Sequence, residues 1–177
     1  TPRFYWDWND RKGARSYRKF CGTPPQSLLM GLDAALKLIE SEGLDNIFRR
    51  HRLFADAVQA AVARWSQAGA IDFHVRSAHE RSVSVTAVEL RGPVNPEVLR
   101  DFAREHFDLG IAGGIGPLAG RVFRIGHLGD INVPTILGCI ATLEAAMLAL
   151  RIPYGAGGVE DAVRVLSQFV PGCAVSC

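Results

Sequence analysis

The sequence predicts an α/β chain in which helices cover a small, mainly antiparallel sheet. Apolar residues recur with helical spacing along two long stretches in the first half of the chain. The pattern then changes to a strict alternation over residues 84–90, which is typical of a half-buried strand. The stretches that follow predict the complete order as two long helices, a strand, a helix, two strands and two final helices.

Two long helices are predicted before the sheet. We expect Thr23 to cap the first, with Pro24 and Pro25 as its first residues, because prolines suit positions that lack an internal N–H partner. Gly43 would end this helix, and Gly69 would end the second. The apolar face of the first consists of Leu28, Leu29, Leu32, Ala35, Leu36 and Ile39. The apolar residues of the second are Ile47, Phe48, Phe54, Val58, Val62 and Trp65, with Arg49, Arg50, Arg52 and Arg64 on its more hydrated side.

The second half of the chain contains shorter elements. Helices are predicted over residues 95–107, 134–151 and 159–170, and strands over residues 84–90, 109–112 and 121–127. Residues 113–120 form a glycine-rich loop before the last strand. Phosphate binding by such a loop requires a helix N-terminus directly after the glycines. Here a strand follows and Pro117 has no N–H group, which favours a flexible connection between strands.

Composition excludes several classes of protein. Hydrophobic residues make up 48% of the chain and charged residues 21%, which is too apolar for a disordered protein. The net charge of +2 favours no nucleic-acid partner. Neither a membrane span nor a signal peptide is predicted. The four cysteines lack a metal-ligand spacing, so we expect reduced thiols in the cytoplasm, with Cys139 in the core.

The first twenty residues differ from the rest, because they hold six basic and six aromatic side chains without a regular period. Burying one aromatic ring stabilises a protein by about 1.5–3 kcal/mol, so a free terminus rarely exposes so many. We therefore expect an interior segment of a larger protein. Binding of single-stranded nucleic acid by stacking and charge is the alternative, which the near-neutral remainder of the chain disfavours.

Arg124 gives the sharpest indication of a site, because it interrupts an otherwise apolar strand. Its planar guanidinium needs an acceptor, and a carboxylate bound by two hydrogen bonds is the natural one. That carboxylate can belong to the protein or to a substrate, and the spacing alone favours a structural ion pair. His127 and Asp130 follow closely and suggest acid–base chemistry, although a polar loop that closes the strand is the simpler interpretation. No nucleophile or metal motif accompanies them, so no metal site is predicted.

Several stretches resemble the class V aminotransferases of the serine–glyoxylate and alanine–glyoxylate type. They are Phe4-Tyr-Trp-Asp-Trp8, Thr23-Pro24 leading into Leu28-Leu-Met-Gly-Leu32, Glu42-Gly-Leu-Asp-Asn46 with Arg50-His51, Gly155-Ala-Gly-Gly158 and, above all, Phe123-Arg-Ile-Gly-His-Leu-Gly-Asp130. The resemblance extends from about Arg3 to Leu166 and indicates the C-terminal part of such an enzyme.

The resemblance implies a fold-type I enzyme that uses pyridoxal 5'-phosphate and works as a homodimer with active sites at the subunit interface. Its substrates would be amino acids and 2-oxo acids, with transfer from serine or alanine to glyoxylate or another 2-oxo acid. In such enzymes the arginine that matches Arg124 holds the substrate α-carboxylate. The threonine that matches Thr23 contacts the cofactor phosphate of the neighbouring subunit. A tyrosine that commonly shares this task has no counterpart in Phe20-Cys-Gly22.

The family's Schiff-base lysine precedes the aromatic segment and is absent from this chain. None of Lys12, Lys19 and Lys37 lies in a pattern that predicts a buried amine. No catalytic residue is therefore predicted here, and the chain alone is expected to be inactive. Residues 1–42 would end the large cofactor domain and form the linking helix, and residues 43–177 would form the small C-terminal domain. A non-catalytic dimerisation or interaction fragment, or one chain of a split enzyme, is the alternative.

Overall fold

The computed structural model describes residues 4–12, 15, 19–20, 22–92 and 95–168. The chain divides into two compact units, Thr1–Ile47 and Phe48–Cys177. The domain boundary between residues 42 and 43 stays a prediction. Cys21, Cys173, Cys177 and the end of the last helix predicted over residues 159–170 lie outside the described residues.

The first unit contains two short 3-10 turns, Phe4–Trp6 and Asn9–Arg11, and helix α1, Gln26–Glu42. The expectation that Thr23 caps α1 was wrong, because the N-cap position is Pro25, which has no side-chain donor or acceptor. A residue that precedes a proline disfavours the helical conformation, so two consecutive prolines delay the start of the helix. Gly43 ends α1 as expected, with a φ of 82°. No residue of α1 is buried.

Helix α2, Leu44–Trp65, contributes a large part of the core of the second unit. Its buried face consists of Phe54, Ala55, Ala57, Val58, Ala61, Val62 and Trp65. Phe48 of the predicted apolar face is 63% exposed. Gly69, in the left-handed conformation, ends the 3-10 turn that continues the helix. The period of 3.6 residues therefore predicted the inner face of α2 correctly from Phe54 onward.

The second unit holds a four-stranded antiparallel sheet in the order β1-β2-β4-β3. The strands are β1, Ile71–Phe73; β2, Val85–Leu90; β3, Ala112–Gly113; and β4, Val122–Gly126. Strand β1 was not predicted, and the strand expected over residues 109–112 begins only at Ala112 and ends at Gly113. The predicted class, helices packed on a mainly antiparallel sheet, is confirmed.

Three helices complete this unit: α3, Pro96–Phe107; α4, Val133–Ala149; and α5, Gly158–Leu166. The helix predicted to start at residue 95 is confirmed, because Asn95 caps α3 and its side chain accepts a hydrogen bond from the N–H of Glu97. Asn132 caps α4 in the same way by accepting from the N–H of Thr135. No helix among the described residues is long and apolar enough to cross a membrane.

Two glycines at the start of α5 and just before it allow close packing against the end of α2. Trp65 Nε1 donates to Glu144 Oε1 at 2.8 Å, and the same oxygen accepts from the N–H of Val159 at 3.2 Å. A Cβ on Gly158 would lie 2.3 Å from Trp65 Nε1, and one on Gly155 would lie 2.1 Å from the carbonyl oxygen of Arg64. Close approach therefore explains why these two positions lack side chains.

Candidate active-site surface around Arg124

Arg124 lies in the middle of β4, and its neighbours on both adjacent strands are alanines. Ala87 of β2 and Ala112 of β3 stand opposite it in register. Opposed residues of antiparallel strands point to the same face, so the side chains directly opposite Arg124 on both neighbouring strands are small. Phe123 and Ile125 point to the other face and are buried in the core. Arg124 is therefore half-buried on the face of the sheet that turns away from the main core.

One nitrogen of the Arg124 guanidinium has a partner within the sheet. Its Nε donates to the carbonyl oxygen of Gly113 at 2.7 Å. Among the described residues, no carboxylate lies within 4.0 Å of the Arg124 nitrogens. The described part of the chain thus lacks the acidic partner that the spacing alone favoured. It leaves both Nη nitrogens able to bind an external acceptor.

Helix α3 packs against β3 near Gly113, on the other face of the sheet. Arg100 of α3 donates its Nε–H to the carbonyl oxygen of Ile111 at 3.0 Å and pairs with Glu97. A Cβ on Gly113 would lie 2.6 Å from Arg100 Nη1 and 2.9 Å from Glu97 Oε1. The glycine-rich loop therefore connects β3 with β4, as its sequence favoured, and its first glycine allows α3 to approach.

His127 is buried directly after β4 and bonds through both ring nitrogens. Its Nδ1 lies 3.0 Å from the carbonyl oxygen of Val83, and its Nε2 lies 2.9 Å from Thr86 Oγ1. Because a carbonyl only accepts, Nδ1 carries the proton in the neutral ring, and Nε2 accepts from the threonine hydroxyl. Asp130 is exposed. This segment therefore closes the strand, and the acid–base interpretation gains no support.

Acid is expected to destabilise the protein through His127. Burial lowers the pKa of its imidazole below the ordinary value of 6.5, and hydrogen bonding to Val83 opposes this only in part. The unfolded chain therefore takes up a proton first, so the free energy of unfolding should fall as the pH drops from about 6.5 toward the lowered pKa of the folded form. Urea unfolding between pH 7.5 and pH 5 measures this loss.

Two variants separate this effect from general acid sensitivity. His127→Asn keeps a donor for Val83 and removes the titrating group, so its loss of stability over this pH range should be smaller. His79→Gln removes an exposed histidine and should keep the normal loss. An unchanged pH dependence in His127→Asn would contradict the assignment.

The loop that follows β4 is anchored to α2. Arg50 Nη1 donates to the carbonyl oxygens of Gly129 and Ile131 at 2.8 and 3.2 Å. The N–H of Gly129 donates to His51 Nε2 at 3.1 Å, and the φ of +93° at this position favours glycine. Two stretches that carry the family resemblance, Arg50-His51 and the segment after Arg124, are therefore in contact.

A cluster of charges on the outer face of β1 and β2 was not predicted. Glu89 Oε1 lies 2.8 Å from His74 Nδ1, and Glu89 Oε2 lies 2.9 Å from Arg76 Nη2. Arg76 also pairs with Asp72, which accepts from Arg91 at 2.9 Å. The alternation of Ile71-Asp-Phe-His-Val-Arg76 is a strand pattern that would have placed these side chains on one face.

The remaining predicted site residues are exposed or unreactive. Thr23 belongs to the first unit and is exposed, as are Lys12, Lys19 and Lys37. Lys37 pairs with Asp33 at 2.6 Å. Burial raises the pKa of the Cys139 thiol to about 11, in agreement with its predicted place against the core. No cluster that could hold a metal occurs in the part of the chain that the structure describes.

The fold has close relatives among solved structures. Pyridoxamine–pyruvate aminotransferase from Mesorhizobium loti superposes with a TM-score of 0.75 at 31% identity, over 84% of this chain and 38% of that one. The architecture is that of the C-terminal part of a fold-type I pyridoxal-phosphate transferase.

Sequence comparison gives the family. Serine–glyoxylate aminotransferase of Methylorubrum extorquens is 34% identical over 88% of this chain and 38% of the relative. A protein of Anabaena cylindrica named as the 42 kDa subunit of a soluble hydrogenase is also 34% identical, over 94% of this chain and 43% of the relative. No family model matches the chain. The chain belongs to the class V aminotransferases of the glyoxylate type, and it spans about two fifths of the length of these curated relatives.

Proposed function

We propose that this chain supplies the C-terminal portion of a pyridoxal-phosphate-dependent aminotransferase that moves an amino group from serine or alanine to glyoxylate or another 2-oxo acid. The observation that carries the proposal is the guanidinium of Arg124, fixed through Nε and without an acidic partner among the described residues. Both substrates of a transamination carry an α-carboxylate, which is the anion that this planar donor group fits.

The surroundings of Arg124 in the sheet support this proposal. Its neighbours Ala87 and Ala112 leave room above the strand for a small carboxylic acid. The bond to Gly113 restricts the side chain before the substrate arrives, so less conformational entropy is lost on binding. Arg124 would therefore bind and orient the amino acid and the 2-oxo acid in turn.

The first unit offers a fit for the cofactor phosphate at Thr23. Its hydroxyl is exposed and is not used to cap α1, since Pro25 holds the cap position. Thr23 therefore keeps a donor for a phosphate oxygen, in the neighbouring subunit of a homodimer as the family resemblance implies. The bound cofactor would supply the electron sink that makes the α-proton of the amino acid acidic.

The lysines of this chain do not suit the covalent attachment of that cofactor. A reactive lysine needs burial or a cationic neighbour to lower the pKa of its amine, and all three are exposed. The attachment lysine would then lie in sequence outside these 177 residues. The alternative, a non-catalytic interaction fragment or one chain of a split enzyme, is favoured by the same exposure of the lysines.

Aminotransferase activity is expected in the full-length protein supplied with pyridoxal phosphate. Serine or alanine with glyoxylate should yield glycine, and the 2-oxo acid product can be quantified by chromatography. The 177-residue chain alone should show neither turnover nor a label trapped by borohydride. Label on Lys12, Lys19 or Lys37 together with turnover would refute the assignment of the lysine to another segment. Absence of transamination with any amino donor in the full-length protein would refute the function.

A further inference from the structure

The charge cluster on β2 lies beside Arg124. Ala87 pairs with Arg124 and Glu89 pairs with Val122, so Glu89 is the diagonal cross-strand neighbour of Arg124. Residues two apart on a strand point to the same face, which places both side chains on the outer face of the sheet. Diagonal neighbours have Cβ atoms about 7–8 Å apart or less, a separation that long side chains can bridge.

Glu89 is therefore an acidic group on this face that could compete with a substrate for Arg124. A glutamate that reached the guanidinium would form the two-point pair that a substrate carboxylate needs. The described contacts show that this pair is not formed. Both Glu89 oxygens instead bond in the direction of β1, one to His74 at 2.8 Å and one to Arg76 at 2.9 Å.

A purely structural explanation of Arg76 also exists. Asp72 stands directly opposite Glu89 in the register of β1 and β2, and like charges in such a pair repel. Arg76 bridges both carboxylates and would relieve that repulsion without any relation to Arg124. The two explanations differ in what the loss of Arg76 does to substrate binding.

We propose that Arg76 and His74 are positioning residues that hold the Glu89 carboxylate away from Arg124 and so reserve the Arg124 guanidinium for the carboxylate of a substrate. The inference rests on the proposed function, and it names the residues that keep the Arg124 guanidinium available for substrate. It explains why Arg124 has no acidic partner among the described residues although Glu89 is its diagonal neighbour. It also accounts for the two separate partners of Glu89.

The test compares Arg76→Gln with Arg76→Gln/Glu89→Gln in the full-length protein. The single variant frees Glu89 to pair with Arg124, and KM for both the amino donor and the 2-oxo acid should rise about threefold to fivefold, the upper part of the range of a partly exposed ion pair. The value of kcat should change by less than about twofold. The double variant removes the competitor, so both KM values should return to within about twofold of the normal enzyme.

A matched control lies in the same cluster. Arg91→Gln removes a cation that contacts Asp72, whereas the contacts of Glu89 stay intact, so KM should stay within about twofold. Thermal unfolding of every variant separates lost stability from lost binding. If Arg76→Gln does not fold, His74→Gln with and without Glu89→Gln makes the same comparison.

Three results decide the matter. A raised KM that Glu89→Gln reverses supports the proposal. A KM that does not change in the single variant, or that stays raised in the double variant, overturns it and leaves only the structural explanation. Arg124→Lys, run in parallel, tests the proposed function separately: if it lowers kcat/KM while Arg76→Gln has no effect, the function stands and only this inference fails.

Discussion

Arg124→Lys in the full-length protein is expected to lower kcat/KM by about tenfold or more, since a charged hydrogen bond contributes about 1.5–3 kcal/mol. Lysine keeps the positive charge but loses the planar pair of donors, and it cannot reproduce the bond from Nε to Gly113. The effect should appear with both the amino donor and the 2-oxo acid, because both carry the carboxylate. Steady-state kinetics with each substrate measure it.

Arg121→Lys is the matched control for this prediction. Arg121 lies three residues earlier and is exposed, so the same exchange there should leave kcat/KM within about twofold. The cofactor spectrum should be retained in both variants. An unchanged kcat/KM in Arg124→Lys would remove this residue from the substrate site.

Gly155→Ala is expected to reduce the free energy of unfolding by about 2–3 kcal/mol. The added Cβ would lie 2.1 Å from the carbonyl oxygen of Arg64, a backbone atom at the end of α2 that cannot rotate away. Gly155 also donates its N–H to the carbonyl oxygen of Trp65 at 3.0 Å, so a shift of the backbone would break this bond. Urea unfolding at constant pH measures the change.

Gly138→Ala, in contrast, is expected to increase the free energy of unfolding of the same protein. Apart from its chain neighbours and the backbone of its own helix, no atom lies within 4 Å of a Cβ built on Gly138, which is exposed in the interior of α4. Alanine there should stabilise the protein by about 0.5–1 kcal/mol through helix propensity. Equal effects at positions 155 and 138 would show that contact with Arg64 does not determine the outcome.

Local patterns predicted the long elements better than the short ones. The buried face of α2 from Phe54 to Trp65 could be predicted from the sequence, because many of its apolar residues follow one helical period. Asn95 alone was enough to predict the start of α3, since its side chain accepts a hydrogen bond from an N–H group in the first turn of the helix. Strand β1 has only three residues, which is too short for its alternation to stand out, although the pattern continues to Arg76 and its polar members His74 and Arg76 pair with Glu89 of β2.

The acceptor of Arg124 could not be predicted from the local sequence. The position of Arg124 in an apolar strand predicted that its guanidinium needs an acceptor, but the spacing alone favoured a carboxylate of the protein. The register of three strands is needed to show that Ala87 and Ala112 lie opposite Arg124. The side-chain contacts are needed to show that Glu89 pairs with Arg76 instead. The prediction that Thr23 caps α1 failed for a different reason. The conformational preference imposed by two consecutive prolines outweighed the capping preference of threonine.

The bond between Arg124 Nε and Gly113 also restricts the direction from which an acid can approach. A guanidinium offers two edges to a carboxylate, one formed by Nε with an Nη and one formed by the two Nη nitrogens. The first edge is blocked by the peptide oxygen at 2.7 Å. A two-point contact must therefore form end-on, along the axis of the arginine side chain, so that the α-carbon of the ligand lies beyond the tip of that side chain.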